Sequence, residues 1–241
     1  MKKSALICIA KDEDNYIEEW IDYNHKLGFD EIVIYENDWR CKINRPYLKK
    51  IQYDGHRKQM EVYNHFINTY KTEYEWAAFF DCDEFLVLKK HENINSFLEE
   101  YNNPSGIGIN WQFFGANGKL KRDENSNSLL KQFTIKQKDV DRHVKTILKM
   151  SSGGRMVLPH NPNVPLMDTN KKFFVGPYND KGTIDTAQLN HYHHKTLEDW
   201  IIRCERGQSD NGPTKKPEQW HQTKFDFCDV EDTLARDFMY N

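Results

Sequence analysis

Two aspartates, Asp81 and Asp83, stand directly after a run of apolar and aromatic residues from Trp76 to Phe80. Such a run predicts a buried strand, and open α/β folds bind their ligands at the carboxyl ends of strands. Carboxylates two residues apart on a strand share one face and repel each other unless a cation lies between them. Because Mg²⁺ and Mn²⁺ take oxygen ligands and often bridge a protein to phosphate, the pair predicts a metal that holds a phosphorylated substrate.

A second cluster with metal-binding chemistry is His191-Tyr192-His193-His194-Lys195. On a strand His191 and His193 share a face, and an imidazole can complete a metal site that carboxylates begin. The alternative is that these are ordinary, partly buried histidines. Lys145, on another predicted strand, and Lys195 are candidates to neutralise phosphate charge, and solvated surface lysines are the alternative for both.

Three further polar residues have types suited to substrate contacts. Gln59 and Asn64, near the start of a predicted helix, are candidates to read a base or a ribose by hydrogen bonds. Asp210, in a loop after a later helix, is a candidate general base. Loop aspartates more often stabilise turns, and that alternative stays open.

The elements that must position these residues alternate along the first half of the chain. Apolar runs predict strands at 4–10 and 31–36 and at the Asp-x-Asp run, while helical spacing of apolar residues predicts helices at 17–27 and about 58–70. Strand and helix in alternation are typical of a mainly parallel sheet with right-handed crossovers.

The second half is less regular. Strands are predicted at 106–114, 144–149 and 187–193, and helices at 93–101 and 196–206. With 241 residues and no linker or internal repeat, the chain is expected to form a single domain over 1–241.

Composition excludes some function classes. The net charge of −3 gives no basic footprint, so no nucleic-acid partner is expected. No apolar segment approaches the length of a membrane span. The five cysteines are scattered, with no Cys-x-x-Cys pair, which favours reduced thiols and a cytoplasmic location. Peripheral membrane association is compatible with this composition.

Taken together, the motifs resemble bacterial glycosyltransferases of the GT-A fold, related to families 2 and 92. The resemblance extends over nearly the whole chain and is most specific in Asp-Cys-Asp-Glu-Phe, Trp-x-x-Phe-Gly and His-Tyr-x-x-Lys. The matching segments are Ile7 to Glu13, Glu18 to Trp20, Gly28 to Asp30, Gln59 with Tyr63-Asn64, Trp76 to Leu86, Trp111 to Gly115, Lys145 to Ile147, His191-Tyr192 with Lys195, and Arg206-Gly207.

The resemblance implies an α/β fold with a Rossmann-like, mainly parallel sheet flanked by helices. It implies a nucleotide-binding half at 1–110 and an acceptor-binding half at 111–241. It also implies Mn²⁺ or Mg²⁺ on Asp81 and Asp83, with His191 as a further ligand. Uracil and ribose would bind around Ala10, Lys11, Glu13 and Asn37.

The implied reaction transfers a sugar from a nucleotide donor, with UDP-hexose expected, to a cell-surface glycan or glycolipid acceptor of the lipooligosaccharide type. Trp111 to Gly115 would form an acceptor-side wall. An inverting transfer needs a carboxylate base, and the chain has no clear Glu-Asp pair at the expected place. Asp210 is the first candidate and Glu124 the second.

Three other functions remain open from the sequence. An aspartyl-nucleophile phosphatase or phosphotransferase also places Asp-x-Asp at a strand end, but Phe85 stands where that motif usually has Thr or Val. A nucleotidyltransferase would be expected to carry a glycine-rich phosphate loop near residue 10, and none is present. A non-catalytic sugar- or metal-binding module would use the same carboxylates and aromatics.

Overall fold

The computed structural model describes residues 1–101, 104–207, 213–222 and 228–241 as a single α/β domain. Its strands are β1 (Lys2–Ala10), β2 (Glu31–Glu36), β3 (Leu48–Gln52), β4 (Tyr74–Phe79), β5 (Glu84–Leu88), β6 (Gly106–Phe113), β7 (Ile135–Lys136), β8 (Val144–Lys149), β9 (Met156–Leu158), β10 (Asn161–Pro162), β11 (Leu166–Met167), β12 (Phe173–Phe174), β13 (Ala187–His191) and β14 (Val230–Glu231). Its α-helices are α1 (Ile17–Lys26), α2 (Gln59–Tyr70), α3 (Ile94–Glu99), α4 (Leu129–Gln132), α5 (Leu197–Arg206) and α6 (Leu234–Tyr240).

The main sheet has the order β12-β11-β6-β8-β4-β1-β2-β3, and β13 joins β5 to β6 beside this path. The pairs β4–β1, β1–β2 and β2–β3 are parallel, as the alternating first half predicts. Strand β8 is antiparallel to both β4 and β6, and β13 is antiparallel to β5. The sheet is therefore mixed, and the prediction of a mainly parallel sheet is wrong, because β8 inserts between β4 and β6 in the opposite direction.

Two apolar cores cover the two faces of this sheet. In β1, Leu6 and Cys8 belong to the core that includes α1, while Ala5, Ile7 and Ile9 belong to the core that includes α2. This alternation follows from the two-residue period of a strand and explains why β1 is apolar throughout: both of its faces are buried.

The Asp-x-Asp segment differs from its prediction. The apolar run forms one strand, β4, as predicted, but the chain turns directly after it, and Asp81 and Asp83 lie in the turn between β4 and β5. Strand geometry consequently does not fix the two carboxylates on one face. Helix α1 anchors this turn, because the Trp20 indole donates a hydrogen bond to the Glu84 carbonyl at 2.8 Å.

No helix in the described part of the chain is both long enough and apolar enough to cross a membrane.

Candidate functional site

A cleft opens at the edge of the sheet where the parallel strands β1, β2 and β4 end. Its walls come from the ends of β1 and β2, the loop before α2, the Asp-x-Asp turn and one face of α5. Its empty space, counted together with the solvent-open mouth, is about 780 Å³. Because α5 follows β13, both halves of the chain contribute to this cleft.

Asp81 lines the cleft and is held from behind by buried side chains. One oxygen lies 2.8 Å from Lys145 Nζ, and the other accepts a hydrogen bond from Gln59 at 2.9 Å. Burial would raise the pKa of Asp81, but the Lys145 ammonium outweighs it and the pKa lies below its usual value. Glu84, the neighbouring carboxylate, lies 3.5 Å from Lys145. Its burial outweighs the effect of the Lys145 ammonium, and the pKa of Glu84 is raised well above its ordinary value.

Asp83, the second carboxylate, lies between α5 and β13. One oxygen accepts a hydrogen bond from Arg203 at 3.2 Å, and the other lies 3.6 Å from His191 Nε2. Burial would raise the pKa of Asp83, but nearby His191 and Arg203 lower it below its ordinary value. Burial also lowers the pKa of His191 to about 3, so its imidazole is neutral near pH 7.

The Asp83–His191 contact contains unsatisfied polar atoms. Among the described residues, Asp83 Oδ1 and both ring nitrogens of His191 are buried without a hydrogen-bond partner. The imidazole lies against the rings of Trp111 and Phe113, at centroid distances of 4.3 and 5.0 Å. Buried polar atoms are normally satisfied, so unpaired ones at a cleft indicate a place for a ligand.

Glu13 forms the wall of the cleft between β1 and α5. Its carboxylate accepts a hydrogen bond from Arg206 at 2.5 Å and lies 3.3 Å from Lys195 Nζ. Burial would raise the pKa of Glu13, but Arg206 and Lys195 outweigh it and the pKa is lowered. Arg206 also donates to the Lys11 carbonyl at 2.6 Å, so α5 is fastened to the end of β1.

The far end of the cleft is built by backbone turns after β1 and β2. Asn37 donates hydrogen bonds to the carbonyls of Tyr53 and Gly55, at 3.0 and 2.7 Å, and so shapes the loop before α2. Lys11 Nζ lies 3.4 Å from Asp38, which has a positive φ of 48°. Together with Ala10, these residues line this end of the cleft.

The structure brings some of the predicted site residues together. Those that line the cleft are Ala10, Lys11, Glu13, Asn37, Asp81 and Asp83. Gln59 reaches the cleft only through its hydrogen bond to Asp81, and His191 through Asp83.

Other predicted residues have different positions. Asn64 lies outside the cleft, with its amide bonded to the backbone of Met156 in β9. Lys145 is completely buried and Lys195 is paired with Glu13, so neither lysine presents an unpaired charge to the cleft. Glu124 is exposed on a loop that lines a separate surface depression. Asp210 lies outside the described residues.

Three arginines also line the cleft; Arg203 is paired with Asp83 and Arg206 with Glu13, so of the three only Arg57 lacks a carboxylate partner among the described residues. Arg203 and Arg206 both line the cleft from one face of α5, and their spacing of three residues is the signal that could have identified them. Arg57 lies opposite, on the exposed loop before α2, with a φ of 55°. No other described residue pairs with its guanidinium.

The residues present fit a divalent cation in part. A carboxylate oxygen and a neutral imidazole nitrogen, both unpartnered, are the forms in which these groups bind metals. In the described ranges, however, no three His, Cys, Asp or Glu side chains already converge on one point. Asp83 and His191 thus offer two donors, while Asp81 is engaged by Lys145 and Gln59.

The fold and the cleft define an α/β protein with a ligand site at the carboxyl ends of its parallel strands, rich in arginine and carboxylate. Comparison with known proteins gives the family. The family model for glycosyltransferase family 92 matches residues 42–230, which is most of the chain. The chain therefore belongs to glycosyltransferase family 92.

A curated relative agrees with this assignment. A glycosyltransferase family 92 protein of rice (Oryza sativa subsp. japonica) is 22% identical over 273 aligned residues. The alignment covers 99% of this chain but 44% of the relative, so the chain spans less than half of that protein's length. The family part of the predicted resemblance is confirmed, and the GT-A fold and a bacterial source stay predictions.

Proposed function

We propose that this chain is a metal-dependent glycosyltransferase that moves a hexose from a UDP donor to a cell-surface glycan or glycolipid acceptor, with inversion. The observation that carries the proposal is the set of buried atoms without a hydrogen-bond partner, Asp83 Oδ1 and both ring nitrogens of His191, beside a cleft whose walls carry Arg57 and Arg203. Charged groups of both signs around one cleft suit a ligand that combines a cation with a diphosphate.

Each region of the cleft has a role in this proposal. The end of the cleft lined by Ala10, Lys11 and Asn37 binds uridine, because it presents polar groups at the ends of β1 and β2. Arg57 and Arg203 face the phosphates, since guanidinium groups form strong, charge-assisted hydrogen bonds to phosphate oxygens.

Asp81, Asp83 and His191 would hold Mn²⁺ or Mg²⁺. When bound, the ion neutralises charge on the diphosphate leaving group. Lys145 and Gln59 fix the carboxylate of Asp81 in the cleft. The acceptor hydroxyl attacks the anomeric carbon from the side opposite to the diphosphate, and a general base removes its proton.

Family membership favours this function over the other functions considered from the sequence. A phosphatase or phosphotransferase with Asp81 as its nucleophile has no such support, because the family model that the chain matches is one of glycosyltransferases. A module that only binds sugar or metal would not require the arginines opposite the Asp-x-Asp turn.

Isothermal titration calorimetry with UDP, in Mn²⁺ and then in EDTA, tests the donor site. We expect EDTA to weaken UDP binding. Asp83→Ala and His191→Ala should each reduce Mn²⁺-supported affinity by about 10-fold or more, the scale of losing one component of a metal site. Asp185→Ala, which removes an exposed carboxylate before β13, is the matched control.

Equal UDP affinity in Mn²⁺ and EDTA, together with unchanged affinity in Asp83→Ala, would contradict the metal-dependent donor site. A second measurement tests transfer itself. UDP release is followed with UDP-galactose, UDP-glucose and their N-acetylated counterparts, each with and without methyl glycosides as acceptors. Transfer requires at least one donor whose UDP release an acceptor accelerates.

A further inference from the structure

A histidine–aspartate pair lies beside the cleft and has no role in the donor site described above. His143 Nδ1 lies 2.6 Å from a carboxylate oxygen of Asp141, and the same oxygen accepts a hydrogen bond from the His143 backbone N–H at 2.9 Å. The Asp141 side chain is buried, whereas that of His143 is 34% exposed. Within the described residues, Nε2 of His143 has no hydrogen-bond partner.

The sheet places His143 on the side of the cleft. It directly precedes β8 and stands two residues before Lys145, so the two side chains project from the same face, about 7 Å apart along the strand. Lys145 contacts Asp81 from that face. Because β8 is antiparallel to β4, the beginning of β8 lies at the edge where β4 ends and the Asp-x-Asp turn begins.

Aromatic rings connect His143 to the proposed donor site. The Trp111 ring stacks on the His143 imidazole, at 5.1 Å and 26°, and the same ring contacts the His191 imidazole at 4.3 Å. Tyr178, which is 45% exposed, meets His143 edge-on at 4.8 Å. An exposed imidazole flanked by aromatic surface suits a sugar ring, whose apolar face packs on aromatics while its hydroxyls meet polar groups.

We propose that His143 is the general base that deprotonates the acceptor hydroxyl, and that Asp141 is a positioning residue that orients its ring. This assignment rests on the proposed glycosyltransferase function. The hydroxyl oxygen forms the new bond to the anomeric carbon, and the bond to the diphosphate breaks with its electron pair leaving on UDP. The hydroxyl proton moves to Nε2 of His143, and Asp141 stabilises the resulting imidazolium.

The surroundings favour His143 over the neighbouring histidine. His160, whose ring lies 5.6 Å away, is bonded through Nδ1 to the Val144 carbonyl at 3.1 Å. Burial lowers the pKa of His160 to about 4, which makes it a weak base at neutral pH. Among the described residues, the other charged or titratable groups in contact with His143 are Asp141 and Tyr178, with Arg142 stacked over Tyr178 at 4.4 Å.

The test uses His143→Gln, which retains a polar side chain but removes basicity, and Asp141→Asn, which keeps the size of the positioning residue. His91→Gln is the matched control, because His91 also forms a 2.6 Å pair with a carboxylate, Glu100, after the end of β5 remote from the Asp-x-Asp turn. Asp210→Asn is assayed beside them as the rival base. UDP release is measured with the donor and methyl glycoside that give the fastest acceptor-dependent rate.

We expect His143→Gln to lower acceptor-dependent kcat by about 10²- to 10⁴-fold, the usual contribution of a general base. UDP affinity and acceptor-independent donor hydrolysis should stay within about twofold of the wild type. The acid limb of the kcat/KM profile, which reports the base of the free enzyme, should change in Asp141→Asn and be lost in His143→Gln. His91→Gln should behave as the wild type.

Two results would overturn the assignment. One is acceptor-dependent kcat in His143→Gln within about 10-fold of the wild type, particularly if Asp210→Asn loses far more. The other is an equal loss of UDP affinity in His143→Gln, which would make His143 part of the donor site. Both differ from failure of the proposed function, in which the wild type itself would bind no UDP and no acceptor would accelerate UDP release.

Discussion

At the scale of single residues, the charge that the cleft offers to a ligand depends on which of its charged side chains are already paired with each other. Lys145 and Lys195 neutralise Asp81 and Glu13, and Arg206 is likewise bonded to Glu13. Arg57, which has no partner in the described part of the chain, retains its full capacity for a ligand. Its exposure means that replacing it does not leave a buried charge behind.

Arg57→Gln should therefore weaken UDP binding by about 10-fold and leave uridine binding nearly unchanged. Loss of a hydrogen bond to a charged group costs about 1.5–3 kcal/mol, and about 1.4 kcal/mol corresponds to tenfold in affinity. Calorimetry with UDP and uridine measures the difference. Arg155→Gln, another exposed arginine outside the cleft, serves as the control. Equal weakening of both ligands by Arg57→Gln would show that Arg57 supports the loop and does not bind phosphate.

At the scale of elements, β6 holds the loop that carries Asp141. The buried amide of Asn110 in β6 donates to the carbonyls of Asp141 and Asn179, both at 2.9 Å. Gly182 packs directly on this amide, and a Cβ added there would lie 1.8 Å from the Asn110 side-chain oxygen. A methyl group at this position must displace the amide and with it the loop.

Gly182→Ala is accordingly expected to destabilise the fold by about 1–3 kcal/mol, the usual cost of overpacking. It should also lower acceptor-dependent turnover more than UDP affinity, because the loop it disturbs carries Asp141 and His143. Urea unfolding and the UDP-release assay measure the two effects. Lys181→Ala, an exposed neighbour, is the control. Unchanged stability in Gly182→Ala would contradict this, because it would mean that the Asn110 side chain can adopt another conformation without loss of stability.

At the scale of the whole molecule, one buried carboxylate joins the two ends of the chain. Glu19 in α1 accepts hydrogen bonds from the Ser128 hydroxyl and from the Leu129 backbone N–H at 2.7 Å. The hydroxyl of Tyr240, the last residue of α6, donates to it at 2.7 Å. Burial raises the pKa of Glu19, and these hydrogen bonds only partly offset the effect.

A raised folded-state pKa means that the folded protein binds the proton more tightly than the unfolded chain. The contribution of Glu19 is then complete below its unfolded pKa, near 4.3, and is lost as pH rises through the higher folded value. The stability of the wild type relative to Glu19→Gln should fall as pH increases from about 4 to 7, as measured by urea unfolding. A difference between wild type and Glu19→Gln that does not change with pH would contradict the raised pKa.

Much of the fold was predictable because local patterns decide it. The bounds of β2 and β8 match their predictions, and β1, α2 and α5 differ by a few residues at most. The direction of β8 was not predictable, because an apolar run carries no information about which strands it will pair with or in which sense. The short strand β3, at the edge of the sheet, was missed because only part of it is buried.

For the candidate site, the sequence by itself determined the chemistry available and its location at the ends of the parallel strands. Asp81, Asp83 and Asn37 meet in one cleft, as their positions at strand ends predict, and Glu13, which only the family resemblance suggested, lies there too. Only the tertiary structure decided which charges cancel, because Lys145 pairs with Asp81 across β4 and β8, residues far apart in the chain. Sequence analysis did not identify the Asp141–His143 pair or the arginines of α5 for the same reason, because their roles depend on which elements pack beside them in the tertiary structure.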